Sequence, residues 1–172
     1  MVKLRTMKGR ESRDQMYTKE SDQRITFIGF WLRRLKLDEV PQLLNIALGH
    51  MAFFGPRPDV PQAFSHYVGE EKRVFTVLPG LIDIASLVFS EEGKILASKQ
   101  KGHTYEKIFR LKKDLACFYI DNSSVRMNAS LFFLFFIRVV SNSLFVVGLE
   151  KFFLVFSVPK KFKEEALLYA AH

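Results

Sequence analysis

Apolar and polar positions along this chain change rhythm several times, and each change predicts an element. Residues 1–23 are polar and charged, with no apolar run. Thr26 then precedes Phe27, Phe30, Trp31 and Leu35, spaced to share one side of a helix, with Arg33 and Arg34 pointing away from it. After a turn over 36–38, Asp38 and Glu39 stand before Pro41, and Leu43, Leu44, Ile46, Ala47 and Leu48 predict a short apolar helix that Gly49 ends. Residues 59–76 mix charges (Glu70, Glu71, Lys72, Arg73) and predict a helix stopping before Pro79-Gly80. The run 81–89 is apolar with β-branched members and predicts a short strand or extended segment. Between 91 and 121 the pattern is mostly helical after a loop over 99–103. There Tyr105, Ile108, Leu111, Leu115, Phe118 and Tyr119 recur at near-helical spacing and predict a packing face.

The last third is apolar but broken. Residues 129–137 are interrupted by Arg138, then by Ser141-Asn142-Ser143, and again by Glu150-Lys151. No stretch reaches the roughly 18–20 residues of a spanning helix. Arg138 and Asn142, four apart, predict one narrow polar face on a phenylalanine-rich helix lying in a membrane interface, since a central arginine disfavours a span. The tail Lys160-Lys161-Phe162-Lys163 suits anionic lipid headgroups.

Composition narrows the partners. The chain has 172 residues, enough for one domain with a modest core. Its 26 basic and 18 acidic side chains leave +8, which favours anionic partners. The aromatics sit in apolar runs rather than between basic residues, and no reading motif is present, so nucleic acid is not expected. A single cysteine, Cys117, excludes a disulfide framework and a cysteine-based zinc site and fits a reducing compartment. The four histidines are scattered without ligand spacing.

Candidate chemistry concentrates between residues 33 and 58. Asp38 and Glu39 are adjacent carboxylates with Arg33 and Arg34 just before them, and Gly55-Pro56-Arg57-Pro58 follows. Carboxylates act on a phosphate only where cations neutralise it, so the grouping points to phosphate chemistry. The two prolines stiffen the backbone on either side of Arg57, whose planar fork matches phosphate oxygens. A plainer reading also fits the residues alone: Asp38 caps the helix, Glu39 is a solvated acid, Arg33 makes a surface salt bridge, and Arg57 tops a rigid turn.

The run Lys3-Leu4-Arg5-Thr6-Met7, then Arg24-Ile25-Thr26, Leu32-Arg33-Arg34, Leu37-Asp38-Glu39-Val40-Pro41-Gln42-Leu43, Gly55-Pro56-Arg57-Pro58 and Pro79-Gly80 resembles the bacterial sugar transferases, the monotopic polyprenyl-phosphate phosphoglycosyl transferases. Ala85-Ser86, Phe89, Glu91 and Leu96-Ala97 resemble one branch of that family. Family members carry a membrane-inserted helix and a basic segment ahead of the first motif; this chain begins almost on it and is expected to be N-terminally truncated. Gly49-His50-Met51-Ala52 stands where the family has Gly-Asp-Met-Ser.

The resemblance implies a small, mainly α-helical α+β monotopic domain on the cytoplasmic face of a bacterial inner membrane. Residues 1–128 would be the catalytic part and 129–172 an interfacial helical segment with a basic tail. It implies transfer of a phospho-sugar from a nucleotide diphosphate-sugar to polyprenyl (undecaprenyl) phosphate, initiating exopolysaccharide, capsule, O-antigen or glycoprotein glycan assembly. Asp38 would be the nucleophile, and Glu39 would join it in holding Mg²⁺ or act as an acid–base group. Arg33, Arg57, Lys3 and Arg5 would bind phosphate. The alternative expectation is an inactive remnant that binds a membrane surface or a partner protein.

Overall fold

The computed structural model of the chain describes residues 4, 6, 26–34, 40–57, 66–90 and 105–171, with Arg33, Arg34 and Tyr105 described in backbone only. Helix α1 (Phe27–Arg34) and helix α2 (Gln42–Ala47) lead to strand β1 (Ala52–Phe54). A 3-10 helix (Gly69–Thr76) precedes strand β2 (Gly80–Ile82) and helix α3 (Ile84–Val88). Four longer helices complete the chain: α4 (Tyr105–Asn122), α5 (Val125–Val140), α6 (Asn142–Val155) and α7 (Lys160–Ala170). The fold is a mainly helical α+β domain, and its described sheet is the parallel pair β1–β2.

The core is built by α3 through α7. The stripe predicted on α4 is real: Ile108, Leu111, Leu115 and Tyr119 are buried. They pack with Val88 of α3, Met127 and Leu131 of α5, Phe145, Leu149 and Phe153 of α6, and Ala166 and Ala170 of α7. Burial of this much apolar side chain, at about 1.5–3 kcal/mol each, drives the packing of these helices. Serines start two of them: Ser124 Oγ accepts from Met127 N at 3.2 Å, and Ser141 Oγ accepts from Leu144 N at 3.4 Å.

Three expectations are corrected. Residues 69–76 form a 3-10 helix rather than an α-helix, and 59–65 lie outside the described residues. That segment is held from outside itself. Lys113 Nζ donates to Glu71 Oε2 at 2.6 Å and to the His66 carbonyl at 3.1 Å, and lies over the Tyr67 and Phe109 rings. Arg73 grips Asp121 in bidentate fashion at 2.5 and 2.8 Å. Second, the apolar run 81–89 splits into the end of β2 and helix α3, because Asp83 caps a new helix. Third, Arg138 and Asn142 do not share a helix: Ser141, in extended conformation, ends α5 and starts α6. Arg138 instead donates through Nε and Nη2 to Ser90 Oγ at 2.9 and 2.6 Å and stacks over Phe145.

Among the described residues no helix is long and apolar enough to cross a membrane. Helices α5 and α6 nevertheless leave Phe132, Phe133, Phe136, Val139, Val140 and Leu144 exposed.

Candidate active site

Two pairs of motifs that are distant in sequence meet in space. In the first, the Thr6 carbonyl accepts from Thr26 N at 3.0 Å and from Thr26 Oγ1 at 3.2 Å. The same Oγ1 accepts from Gly29 N at 2.9 Å, so Thr26 caps α1, as its sequence predicts, while fastened to the buried Thr6. Gly29 lets the chains touch, since a Cβ there would collide with the Thr6 carbonyl. Lys3 and Arg5, on either side of Leu4, lie outside the described residues, as do Asp38 and Glu39. Arg33 falls on the last turn of α1 with its side chain outside the description.

Helix α2 begins with Pro41 at its N-cap, and no side chain caps it there. Its end follows the sequence: Gly49 takes φ +74° and donates to the Ile46 carbonyl at 3.0 Å, while His50 N reaches the Asn45 carbonyl at 2.8 Å. The faces, however, are reversed. Gln42 (1% exposed) and Asn45 (7%) are buried, whereas Leu44 (62%) and Leu48 (69%) are open. The Gln42 Nε2 and Asn45 Nδ2 donors have no hydrogen-bond acceptor.

The second meeting joins Gly55-Pro56-Arg57 to Pro79-Gly80. Strand β1 pairs with β2 in the register Ala52 to Gly80 and Phe54 to Ile82. Ala52 N donates to the Pro79 carbonyl at 2.9 Å, Gly80 N to the Pro56 carbonyl at 2.9 Å, and Gly55 N to the Ile82 carbonyl at 3.2 Å. Any Cβ on Gly80 would strike the Gly55 backbone, and Gly55 itself has φ +154°, so both positions require glycine. The crossing leaves Pro56 buried and Arg57 half-buried just beyond it.

Sequence reasoning missed the acid that closes this crossing. Asp83 Oδ1 accepts from Ser86 N at 2.8 Å, and Ser86 Oγ accepts from Asp83 N at 3.3 Å, a reciprocal cap on α3. Burial pushes the Asp83 carboxyl above its usual range; the Ser86 bonds, the Arg57 charge and a bond from the Arg57 backbone N–H oppose that rise without cancelling it. The pattern Asp83-Ile84-Ala85-Ser86 ahead of apolar residues is itself a helix-start signature, and that was the available signal. Among the described residues no three His, Cys, Asp or Glu side chains gather as for a metal, and His50 and His66 are exposed.

A profile described as bacterial sugar transferase matches residues 1–142, five-sixths of the chain and every motif named above. The chain belongs to the bacterial sugar transferase family. Curated relatives agree over shorter stretches. A UDP-galactose-lipid carrier transferase of Erwinia amylovora is 38% identical over 68 residues, 40% of this chain and 14% of the relative. An undecaprenyl-phosphate glucose phosphotransferase of Komagataeibacter xylinus is 53% identical over 45 residues, 26% of this chain and 8% of the relative. A UDP-glucose:undecaprenyl-phosphate glucose-1-phosphate transferase of Caulobacter vibrioides is 36% identical over 91 residues, 51% of this chain and 34% of the relative. The chain thus spans well under two thirds of the length of these family members.

Proposed function

We propose that this chain transfers a sugar-1-phosphate from a nucleotide diphosphate-sugar to polyprenyl phosphate, at a membrane surface and as the first step of glycan assembly. The observation that carries the reading is the pairwise meeting of motifs from the family profile: Thr6 on Thr26, and Gly55-Pro56-Arg57 on Pro79-Gly80. Backbone contacts between motifs so far apart in sequence fix the geometry around a shared site rather than merely stabilising single turns.

In this reading an Asp38 carboxylate oxygen attacks the phosphorus nearest the sugar. The bond from that phosphorus to the bridging oxygen breaks, nucleoside monophosphate leaves, and an aspartyl-phosphosugar remains. An oxygen of the polyprenyl phosphate then attacks the same phosphorus, releases the Asp38 carboxylate, and yields a lipid-linked diphosphate sugar. Arg33 and Arg57, with Lys3 and Arg5, offset the donor's negative charge. The two hard carboxylates of Asp38 and Glu39 suit Mg²⁺, which when bound supplies charge screening at the diphosphate. Membrane placement is supported by the outward apolar residues of α1, α2, α5 and α6 together with the +8 charge.

The test is lipid-product formation. Membranes carrying the chain, given radiolabelled nucleotide-sugar and undecaprenyl phosphate, are expected to form labelled lipid, and Asp38→Asn is expected to form none while remaining folded. Absence of product from the unsubstituted chain across a panel of donors would favour the partner-binding alternative, and full activity of Asp38→Asn would remove the nucleophile assignment.

A further inference from the structure

Asp83 is a costly residue for a plain helix cap. Serine or asparagine would accept the Ser86 N–H equally well without burying a charge. Yet the carboxylate stands 4% exposed between Ile82 and Ile84, themselves buried, where an unpaired charge is strongly disfavoured. What distinguishes its surroundings is Arg57, which supplies both a backbone N–H to the carboxylate and a guanidinium charge acting on it. The two residues come from opposite strands of the Gly55–Gly80 crossing, so their relation is set by backbone contacts that tolerate no side chain.

We infer that Asp83 is the positioning residue for Arg57: its buried carboxylate ties down the Arg57 backbone and holds the guanidinium ready for the donor diphosphate. The inference rests on the phosphate-binding reading of Arg57. A free arginine side chain carries about 2 kcal/mol of rotamer entropy, and orienting it beforehand removes that burden from substrate binding. Pro56 fixes the approach from one side, and Asp83 fixes the residue from beneath. An amide or hydroxyl at position 83 keeps the cap and loses the hold.

Asp83→Asn and Asp83→Ser, both good caps, separate the two roles. By NMR relaxation, the Arg57 side-chain Nε–H is expected to be rigid in the unsubstituted chain, with an order parameter near about 0.85, and to fall below about 0.6 in either variant. Inorganic pyrophosphate, used as a probe of the diphosphate, is expected to bind about tenfold more weakly to both variants. In an Arg57→Ala background Asp83→Asn is expected to cause no further loss, because the group it positions is gone. An unchanged Arg57 order parameter, or an Asp83 effect that persists in full without Arg57, would overturn the inference and reduce Asp83 to a cap. If instead Arg57→Ala binds pyrophosphate as well as the unsubstituted chain, the phosphate reading of Arg57 fails while the relaxation result still reports the hold.

Discussion

Helices α4 and α2 obey opposite rules. On α4 the apolar stripe faces the core and the charges face outward, so burial of Ile108, Leu111 and Leu115 sets the helix's rotation. On α2 two amides face inward and the leucines face outward. Water around the whole surface would turn α2 over: each unsatisfied buried amide costs about 1–3 kcal/mol, and the exposed leucines forgo their own burial. The rotation of α2 is therefore fixed by its ends, Pro41 and the Gly49 stop, and by the apolar surroundings we propose for its outer face. The contrast separates a body whose orientation is its own stability from a site segment whose orientation serves what it touches.

The largest expected effect lies in the body. Phe145→Ala empties a fully buried position and is expected to lower unfolding stability by about 3–5 kcal/mol, read from the denaturation midpoint. Lys113→Met leaves Glu71 without its ammonium partner and the His66 carbonyl without a donor, with an expected loss of about 1–3 kcal/mol concentrated in the 3-10 segment. Hydrogen exchange confined to 69–76 would confirm that this segment hangs from α4.

Acid titration sharpens the comparison further, because two carboxylates respond with opposite sign. Burial raises Glu71, but bonds from Lys113 and the Val68 N–H and the charges of Lys113 and Arg110 outweigh it, so its value falls below 4.5. Its contribution is present above 4.5 and is lost as pH falls through the lower folded value. Asp83, raised above 3.8 by burial, contributes fully below 3.8 and loses that contribution as pH rises through its folded value. Asp83→Asn is accordingly expected to gain stability relative to the unsubstituted chain as pH rises above 3.8, in the direction opposite to its loss of pyrophosphate affinity. Parallel loss of both would mean that Asp83 matters only to the fold.

The smallest stability effect is expected on α2. Leu44→Gln should shift unfolding by no more than about 0.5 kcal/mol, since the side chain is already open. Partition onto anionic phospholipid vesicles should nevertheless weaken about tenfold. Unchanged partition would leave the outward leucines unexplained.

What the sequence revealed follows the same division. The Thr26 cap, the Gly49 stop and the α4 stripe were legible because each depends on residues within a turn or two. The 3-10 form of 69–76 was not, because its geometry comes from Lys113 and Asp121, more than 40 residues away in each case. Asp83 was hidden inside what reads as an apolar run, and its relation to Arg57 exists only once β1 and β2 pair. The reversal of α2 defeats any reading that sends leucines inward. Arg57 was singled out correctly as a rigidly mounted cation, whereas the expectations for Asp38, Glu39, Lys3, Arg5 and the Arg33 side chain fall outside the described residues.

The central claim is that Asp38 bonds to phosphorus. Incubating the membrane-bound chain with nucleotide-sugar and no lipid phosphate, then quenching and mapping peptides by mass spectrometry, tests it directly. A sugar-phosphate adduct on the peptide containing Asp38, absent in Asp38→Asn and discharged by undecaprenyl phosphate, is the predicted result. Lipid product formed at full rate with no adduct on that peptide at any time would contradict it.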